Sequence, residues 1–266
     1  MRAAACCLAL ACGPMWPALA RSAEAPAVAQ IEAAHGAETL RRHRAIRADI
    51  DLRFGGKPRA VGTLIATTDG GKTRIEHEDG RVVTFDGTTA WVSLQNGPYP
   101  GARFDALTWS YFLLAPFKLG DDGARFDRDH GVLPWIDTPV PTGRLTFGTK
   151  VGDAPDDWYV VYADPESNRL KGMAYIVTFG PTSVSEAEQE PHAIVYDGYR
   201  RVDGALISTR WTFRLWSRER GVHGPTLGTA ELSRVRLMKS VPPGTFARPE
   251  GAREAPLPGR ADGDHR

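Results

Sequence analysis

Hydrophobic and polar residues alternate in short bursts from Ala45 to Ser93, and an Asp-Gly pair interrupts the alternation three times. In AIRADIDLRF (45–54), Ile46, Ala48, Ile50, Leu52 and Phe54 take every second position, with Arg47, Asp49, Asp51 and Arg53 between them. A period of two puts the apolar group on one face of a strand and the charges on the other. VGTLIATTD (61–69), KTRIEHED (72–79), RVVTFD (81–86) and TTAWVS (88–93) follow, joined by Asp69-Gly70, Asp79-Gly80 and Asp86-Gly87. Asp-Gly favours type I′ hairpins, whose two central residues both need positive φ. The segment is predicted to be an antiparallel meander, a wall or platform with no visible chemistry of its own.

Two stretches change to helical spacing. Residues 28–44 carry Val28, Ile31, Ala34 and Leu40, which predicts a helix leading into the first strand, weakened or split at Gly36. In FDALTWSYFLLAPFKL (104–119), Leu107, Tyr111 and Leu114 lie on one line, Trp109, Phe112 and Leu113 lie beside them, and Pro116 ends the helix. A helix apolar nearly all round is buried or holds something apolar. Strands resume from about Arg125: GRLTFGT (143–149), DWYVVYAD (157–164), RLKGMAYIVTFG (169–180), HAIVYDGYR (192–200), ALISTRWTFRLWS (205–217) and TLGTAELSRVRLMKS (226–240). No βαβ alternation calls for a parallel sheet. The expected fold class is mainly β (α+β), with about eleven strands and one or two helices.

Length and charge add two bounds. A chain of 266 residues suits one large β domain. A net charge of +1 supplies no electrostatic reason for nucleic acid or an anionic membrane as partner. The first twenty residues read as an export signal, with Arg2, the apolar AAACCLALA (3–11) and a small-residue cleavage site at Ala18-Leu19-Ala20. The apolar run is too short to span a bilayer. Cys12 follows a small residue, as in lipoprotein signals, but Ala9 stands where such signals usually carry Leu, so a cleaved signal is preferred to a lipid anchor. Cys6, Cys7 and Cys12 all fall inside the signal, which leaves a mature chain without thiols, disulfides or thiolate metal sites. Residues 21–27 read as a spacer, 28–247 as the folded domain, and 248–266, rich in Pro, Gly and charge, as a disordered tail.

Candidate chemistry is sparse. No nucleophile elbow, phosphate loop, dinucleotide fingerprint or zinc helix occurs. Glu76-His77-Glu78-Asp79 places His77 and its flanking glutamates on opposite strand faces and runs into a turn, which argues against a metal site. Asp127, Asp129 and His130 could serve acid–base chemistry, although a polar turn explains them as well. Asp153, Asp156 and Asp157 read as a loop. The basic run Arg41-Arg42-His43-Arg44 reads as a solvated helix face. The aromatics stand out more: Trp109, Tyr111, Phe112 and Phe117 on the helix, and Trp91, Tyr159, Tyr175, Phe179, Trp211, Phe213 and Trp216 in strands. They fill an ordinary core or line a cavity between a curved sheet and the helix.

The order of elements resembles the LolA/LolB-like fold of bacterial periplasmic lipoprotein carriers and sensor domains, and most of all uncharacterised exported LolA-like proteins. The resemblance rests on FDGTTAWVS (85–93), YFLLAPFKL (111–119), VVYADPESNRLKGMAY (160–175), YDGYRRVDGALISTRW (196–211) and SVPPGTFARPE (240–250), in that order, over roughly residues 28–250. It implies one strongly curved antiparallel half-barrel with an apolar helical lid over its concave face, and no catalytic residues, cofactor or metal. The expected role is a periplasmic, non-enzymatic protein that binds a lipid, acyl chain or lipoprotein in a hydrophobic cavity. Trp91, Trp109, Phe112, Leu113 and Phe117 are the candidate lining residues. The alternative is an envelope interaction or sensor domain that binds a protein partner and fills the cavity with its own side chains.

Overall fold

The computed structural model describes residues 24–93, 97–136, 138–257 and 259. Residues 1–20, which are read from the sequence as an export signal and hold the three cysteines, and the end of the tail lie outside the described residues. The chain opens with α1 (Val28–His35) and α2 (Ala37–Arg41), split at Gly36, which takes φ 77°. Five strands follow: β1 (Ala45–Phe54), β2 (Lys57–Thr67), β3 (Thr73–His77), β4 (Val82–Phe85) and β5 (Ala90–Val92). The long helix α3 (Ala102–Leu114) continues into a 3₁₀ turn, Ala115–Phe117. Then come β6 (Ala124–Asp127), β7 (Val132–Leu133), β8 (Val140–Phe147), β9 (Tyr159–Ala163), β10 (Leu170–Tyr175), a one-turn α4 (Val184–Ala187) and β11 (His192–Asp197). The remaining strands are β12 (Arg200–Val202), β13 (Ala205–Ile207), β14 (Arg210–Ser217), β15 (Gly221–Met238) and β16 (Arg253–Glu254).

One open antiparallel sheet takes in nearly every strand, in the order β16-β5-β4-β3-β2-β1-β15-β14-β11-β10-β9-β8-β6, with β7 paired to β8 and β12–β13 a separate hairpin. Strand β1 sits between the two halves, paired with β2 on one side and β15 on the other. Its predicted apolar face is the buried one: Ile46, Ala48, Ile50 and Leu52 enter the main core, and Phe54 packs against it. Among the described residues sixteen strands form rather than eleven: β6, β7, β12 and β16 are too short to carry a hydrophobic period, and the predicted 205–217 strand divides into β13 and β14.

The hairpin turns form differently from the expected type. Gly70, Gly80 and Gly87 are left-handed, whereas none of the three aspartates has positive φ. Each aspartate carboxylate instead accepts the amide two residues on: Asp69 from Gly71 at 2.8 Å, Asp79 from Arg81 at 2.9 Å, and Asp86 from Thr88 at 2.9 Å. A short carboxylate that caps its own turn does the work expected of a second left-handed residue.

The two halves of the sheet cover their outer side differently. On β1 the outer side carries Arg47, Asp49, Asp51 and Arg53, whereas over β3–β5 the 245–252 segment crosses it: Arg74 donates to the Thr245 carbonyl, the Arg248 guanidinium lies over Trp91, and Thr84 is fully buried. In β9 all five residues are buried, because Tyr159, Val161 and Ala163 face the main core while Val160 and Tyr162 face a second, smaller one on the convex side. The segment around β7 makes that second core by folding back over the sheet. Trp135 lies 4.3 Å from the Tyr162 ring, and Trp216 Nε1 donates to the Tyr162 hydroxyl at 2.8 Å. Residues 248–255, expected to be disordered, return to the sheet. Strand β16 pairs with β5, and Ala252 and Ala255 are buried.

Trp135 fits over β10 only because residue 172 is glycine: a Cβ there would stand 2.4 Å from the indole and 2.3 Å from the Ile194 carbonyl. Gly172→Ala is expected to destabilise the protein by about 1–3 kcal/mol through overpacking, read as a lower midpoint in urea. His35 supplies a pH-dependent check. It is fully buried, donates from Nδ1 to the Ile31 carbonyl at 2.8 Å, and lies 5.5 Å from the Tyr199 ring and 6.0 Å from Phe117. Burial holds its pKa below the ordinary 6.5, against the Ile31 bond, with Arg169 adding to the lowering. The unfolded chain then takes the proton first, so this stability is whole above pH 6.5 and is lost as pH falls toward the lowered folded value. Denaturation between pH 7.5 and 5.5 should show a shallower loss for His35→Phe than for the wild type; equal slopes would contradict the linkage.

Candidate functional site

Strands β5 and β6 lie at or next to opposite ends of the sheet, so the connection between them has to cross the concave face. Helix α3 is that connection. It leans on β2–β5 rather than on the middle of the sheet. The reason is an ion pair in its first turn. Asp105, fully buried, accepts from Arg59 Nε at 2.9 Å and Nη2 at 2.8 Å, and also from the Tyr99 hydroxyl. Burial pushes the Asp105 carboxyl up to about 7 even with the Arg59 guanidinium against it. Trp109, Phe112, Leu113 and Leu114 fill the space below the helix, and the Trp109 ring lies 6.1 Å from both Phe54 and Phe213.

The space left over the other half of the sheet is a cavity of about 300 Å³. Its helix side is Phe104, Leu107, Tyr111 and Phe112, and its sheet side is Phe147, Tyr159 and Tyr175, with Val177 and Phe179 beyond β10. Tyr159 and Tyr175 are register partners on β9 and β10. Tyr111 comes within 5.5 Å of the Tyr159 ring and Phe112 within 5.1 Å of Tyr175. Burial pushes all three phenols well above the usual tyrosine range, so they are neutral donors at any physiological pH.

Charge gathers at the mouth in Lys118, Asp121, Asp122, Asp153 and Asp157. Lys118 donates to the Asp69 carbonyl at 2.8 Å and pairs with Asp121. Asp153 takes Arg103 Nη2 at 2.9 Å, which ties the 151–157 loop to the first turn of α3. One Asp157 oxygen accepts the Thr178 amide at 2.7 Å and its hydroxyl at 2.8 Å, and burial pushes this carboxyl up to about 6.

Of the five residues singled out from the sequence, Phe112 lines the cavity. Trp109, Leu113 and Phe117 are buried in the main core. Trp91 lies on β5, far across the sheet, where it donates to Asp86 at 2.9 Å and carries the Arg248 guanidinium over its ring at 4.6 Å. The residues the sequence reading left out of the site are the β9 and β10 tyrosines and the Asp153–Asp157 loop. By sequence Tyr159 is only a strand aromatic, although its alternate position with Val161 and Ala163 identifies the face that meets the helix.

The other sequence candidates stay apart. His77 packs against the Tyr99 ring at 5.8 Å while Glu76 pairs with Arg74. Asp127 accepts the Asp129 amide at 3.0 Å in a turn, and His130 turns to Arg218 at 3.1 Å. Arg41 and Arg42 pair with Glu32 and Glu38. Among the described residues no three His, Cys, Asp or Glu side chains form a metal-holding group, and no helix is long and apolar enough to cross a membrane.

No protein-family model and no curated protein matches the chain. Solved structures do. A LolA superfamily protein from Nitrosomonas europaea superposes with a TM-score of 0.51 at 12% identity, over 84% of this chain and 99% of that one. A DUF1329 family protein from Desulfovibrio piger covers 84% of this chain and 97% of its own at 12% identity, with a TM-score of 0.43. A putative outer membrane lipoprotein-sorting protein domain from Vibrio parahaemolyticus covers 83% and 94% at 12% identity, with a TM-score of 0.42. An open, curved antiparallel sheet with a helix across its concave face, shared with the first of these over 84% of this chain, is a LolA-like fold.

Proposed function

We propose that this protein is an exported, periplasmic, non-enzymatic binding protein that holds a lipid or acyl chain between α3 and the C-terminal half of the sheet. The carrying observation is the cavity of about 300 Å³ with its mainly aromatic and aliphatic lining. It falls within the range of small-molecule sites, which are concave, mostly apolar and largely pre-formed. Burying a chain there contributes on the order of 0.8 kcal/mol per methylene, so affinity does not depend on a charged anchor. The alternative of an interaction domain whose cavity is filled by its own side chains does not account for this open volume. The fold shared with the Nitrosomonas europaea protein, a curved sheet crossed by a helix, supplies the enclosed space this role needs.

Leu107 is the residue to test, because it lines the cavity while only half-buried, so a charge there spares the core. In titrations with the neutral fluorophore N-phenyl-1-naphthylamine, Leu107→Asp should weaken binding by roughly ten- to a hundredfold, the equivalent of one buried leucine. Its thermal midpoint should stay close to the wild type. An organic extract of protein purified from its own envelope should contain one apolar species near equimolar amount by mass spectrometry. A clean extract together with no fluorophore binding would defeat the proposal.

A further inference from the structure

The charges lining the cavity do not cancel. Among the described lining residues the one basic side chain is Lys118, which pairs with Asp121 and donates to the Asp69 carbonyl. Asp153 is taken by Arg103. Asp122 and Asp157 have no ion-pair partner among the described residues, and of the two Asp122 is exposed to water while Asp157 is partly buried. One Asp157 oxygen accepts the Thr178 amide at 2.7 Å and its hydroxyl at 2.8 Å, which fixes the side chain, and the other accepts nothing among the described residues. The alternation of β9, carried back two residues, puts Asp157 on the Tyr159 side and Trp158 on the other, where Trp158 packs against the second core. A fixed carboxylate thus stands at the rim of a space walled by Phe104, Tyr111, Phe147, Tyr159, Tyr175 and Phe179.

We infer that the cavity selects an organic cation, an apolar molecule whose protonated amine or quaternary ammonium group sits against the Asp157 carboxylate and the aromatic rings. This names the ligand class for the binding reading above and rests on it. Burial of the apolar body supplies affinity, and Asp157 supplies the choice among apolar molecules. Aromatic faces carry negative potential, and rings grouped around a quaternary ammonium attract it. Carboxylate and walls therefore favour the same sign of charge. A free fatty carboxylate would meet Asp157 with no unengaged cation to receive it. Burial pushes the Asp157 carboxyl up to about 6 against the two Thr178 bonds, with the Asp156 charge adding to the rise. It is ionised at pH 8, and a bound cation stabilises that form. A cavity of about 150 Å³ holds one benzene, so about 300 Å³ admits a ring with a branched head.

Displacement of N-phenyl-1-naphthylamine from the full chain at pH 8 tests this, with benzyltrimethylammonium, neopentylbenzene and benzylsulfonate as competitors. The three share a benzyl group and carry a positive, a neutral and a negative head of similar shape. Wild-type protein should bind the ammonium at least roughly tenfold more tightly than the sulfonate. Asp157→Asn keeps an oxygen for Thr178 and removes the charge, so its affinity for the ammonium should fall roughly tenfold. Its affinity for neopentylbenzene should stay within about twofold, which also shows that the cavity is intact. Asp122→Asn, at an exposed and screened position, should leave all three within about twofold. Failure of the ammonium to displace bound fluorophore, or a sulfonate that binds as tightly, would overturn the inference. So would unchanged ammonium affinity in Asp157→Asn, with water as the partner of the free oxygen, or an equal loss in Asp122→Asn, which would mean diffuse charge. If the folded wild type does not bind the fluorophore at all, the cavity reading itself fails, a result distinct from loss of charge selectivity alone.

Discussion

The crossing made by α3 is the constraint on which the rest of the molecule depends. Strands β5 and β6 sit near opposite margins of one open sheet, so the chain between them must span the concave face. A backbone there needs its own hydrogen bonds satisfied, which a helix does internally. Once the helix is in place, its seating decides where matter and space lie. The pair between part-exposed Arg59 and buried Asp105 draws the helix toward β2. Trp109 and Leu113 then close the space on that side, and the remaining gap opens over β8–β10. The cavity is the far side of an off-centre helix.

An open sheet of this breadth has a convex surface that water would otherwise reach. The two halves handle it differently. Strand β1 turns Arg47, Asp49, Asp51 and Arg53 outward, and the 245–252 segment crosses β3–β5. The C-terminal half covers its convex side with Leu133 and Trp135 and so builds a second core. The cavity is therefore backed by strands buried on both faces, and its floor, Tyr159 opposite Tyr175, is held by cross-strand pairing.

Much of the frame was legible before any coordinates. The face of β1, the break at Gly36, the apolar helix before Pro116 and the meander all follow from local periodicity and turn chemistry, which act over a few residues. What local pattern missed was short or non-local. Strands of two to four residues such as β6, β7 and β16 have no period to read. The tail looked disordered for lack of apolar residues, yet Ala252 and Ala255 need only a free strand edge to pack against. Trp91 and Trp109 share an aromatic character in the sequence, but the sheet sends one to its margin and the other beneath the helix.

The sequence by itself determined that one face of each long strand is apolar, that one helix has no polar side, and that the described part of the chain has no thiol chemistry. Tertiary structure alone decided that Tyr111, Tyr159 and Tyr175, spread over 64 residues, meet around one space, while Trp109, only two residues from Tyr111, faces the core instead. The physical reason is that periodicity encodes which side of an element is buried, whereas a cavity is defined by what the buried sides fail to fill. That remainder depends on where an ion pair sets a helix against a curved sheet, a distance no local pattern of residues contains.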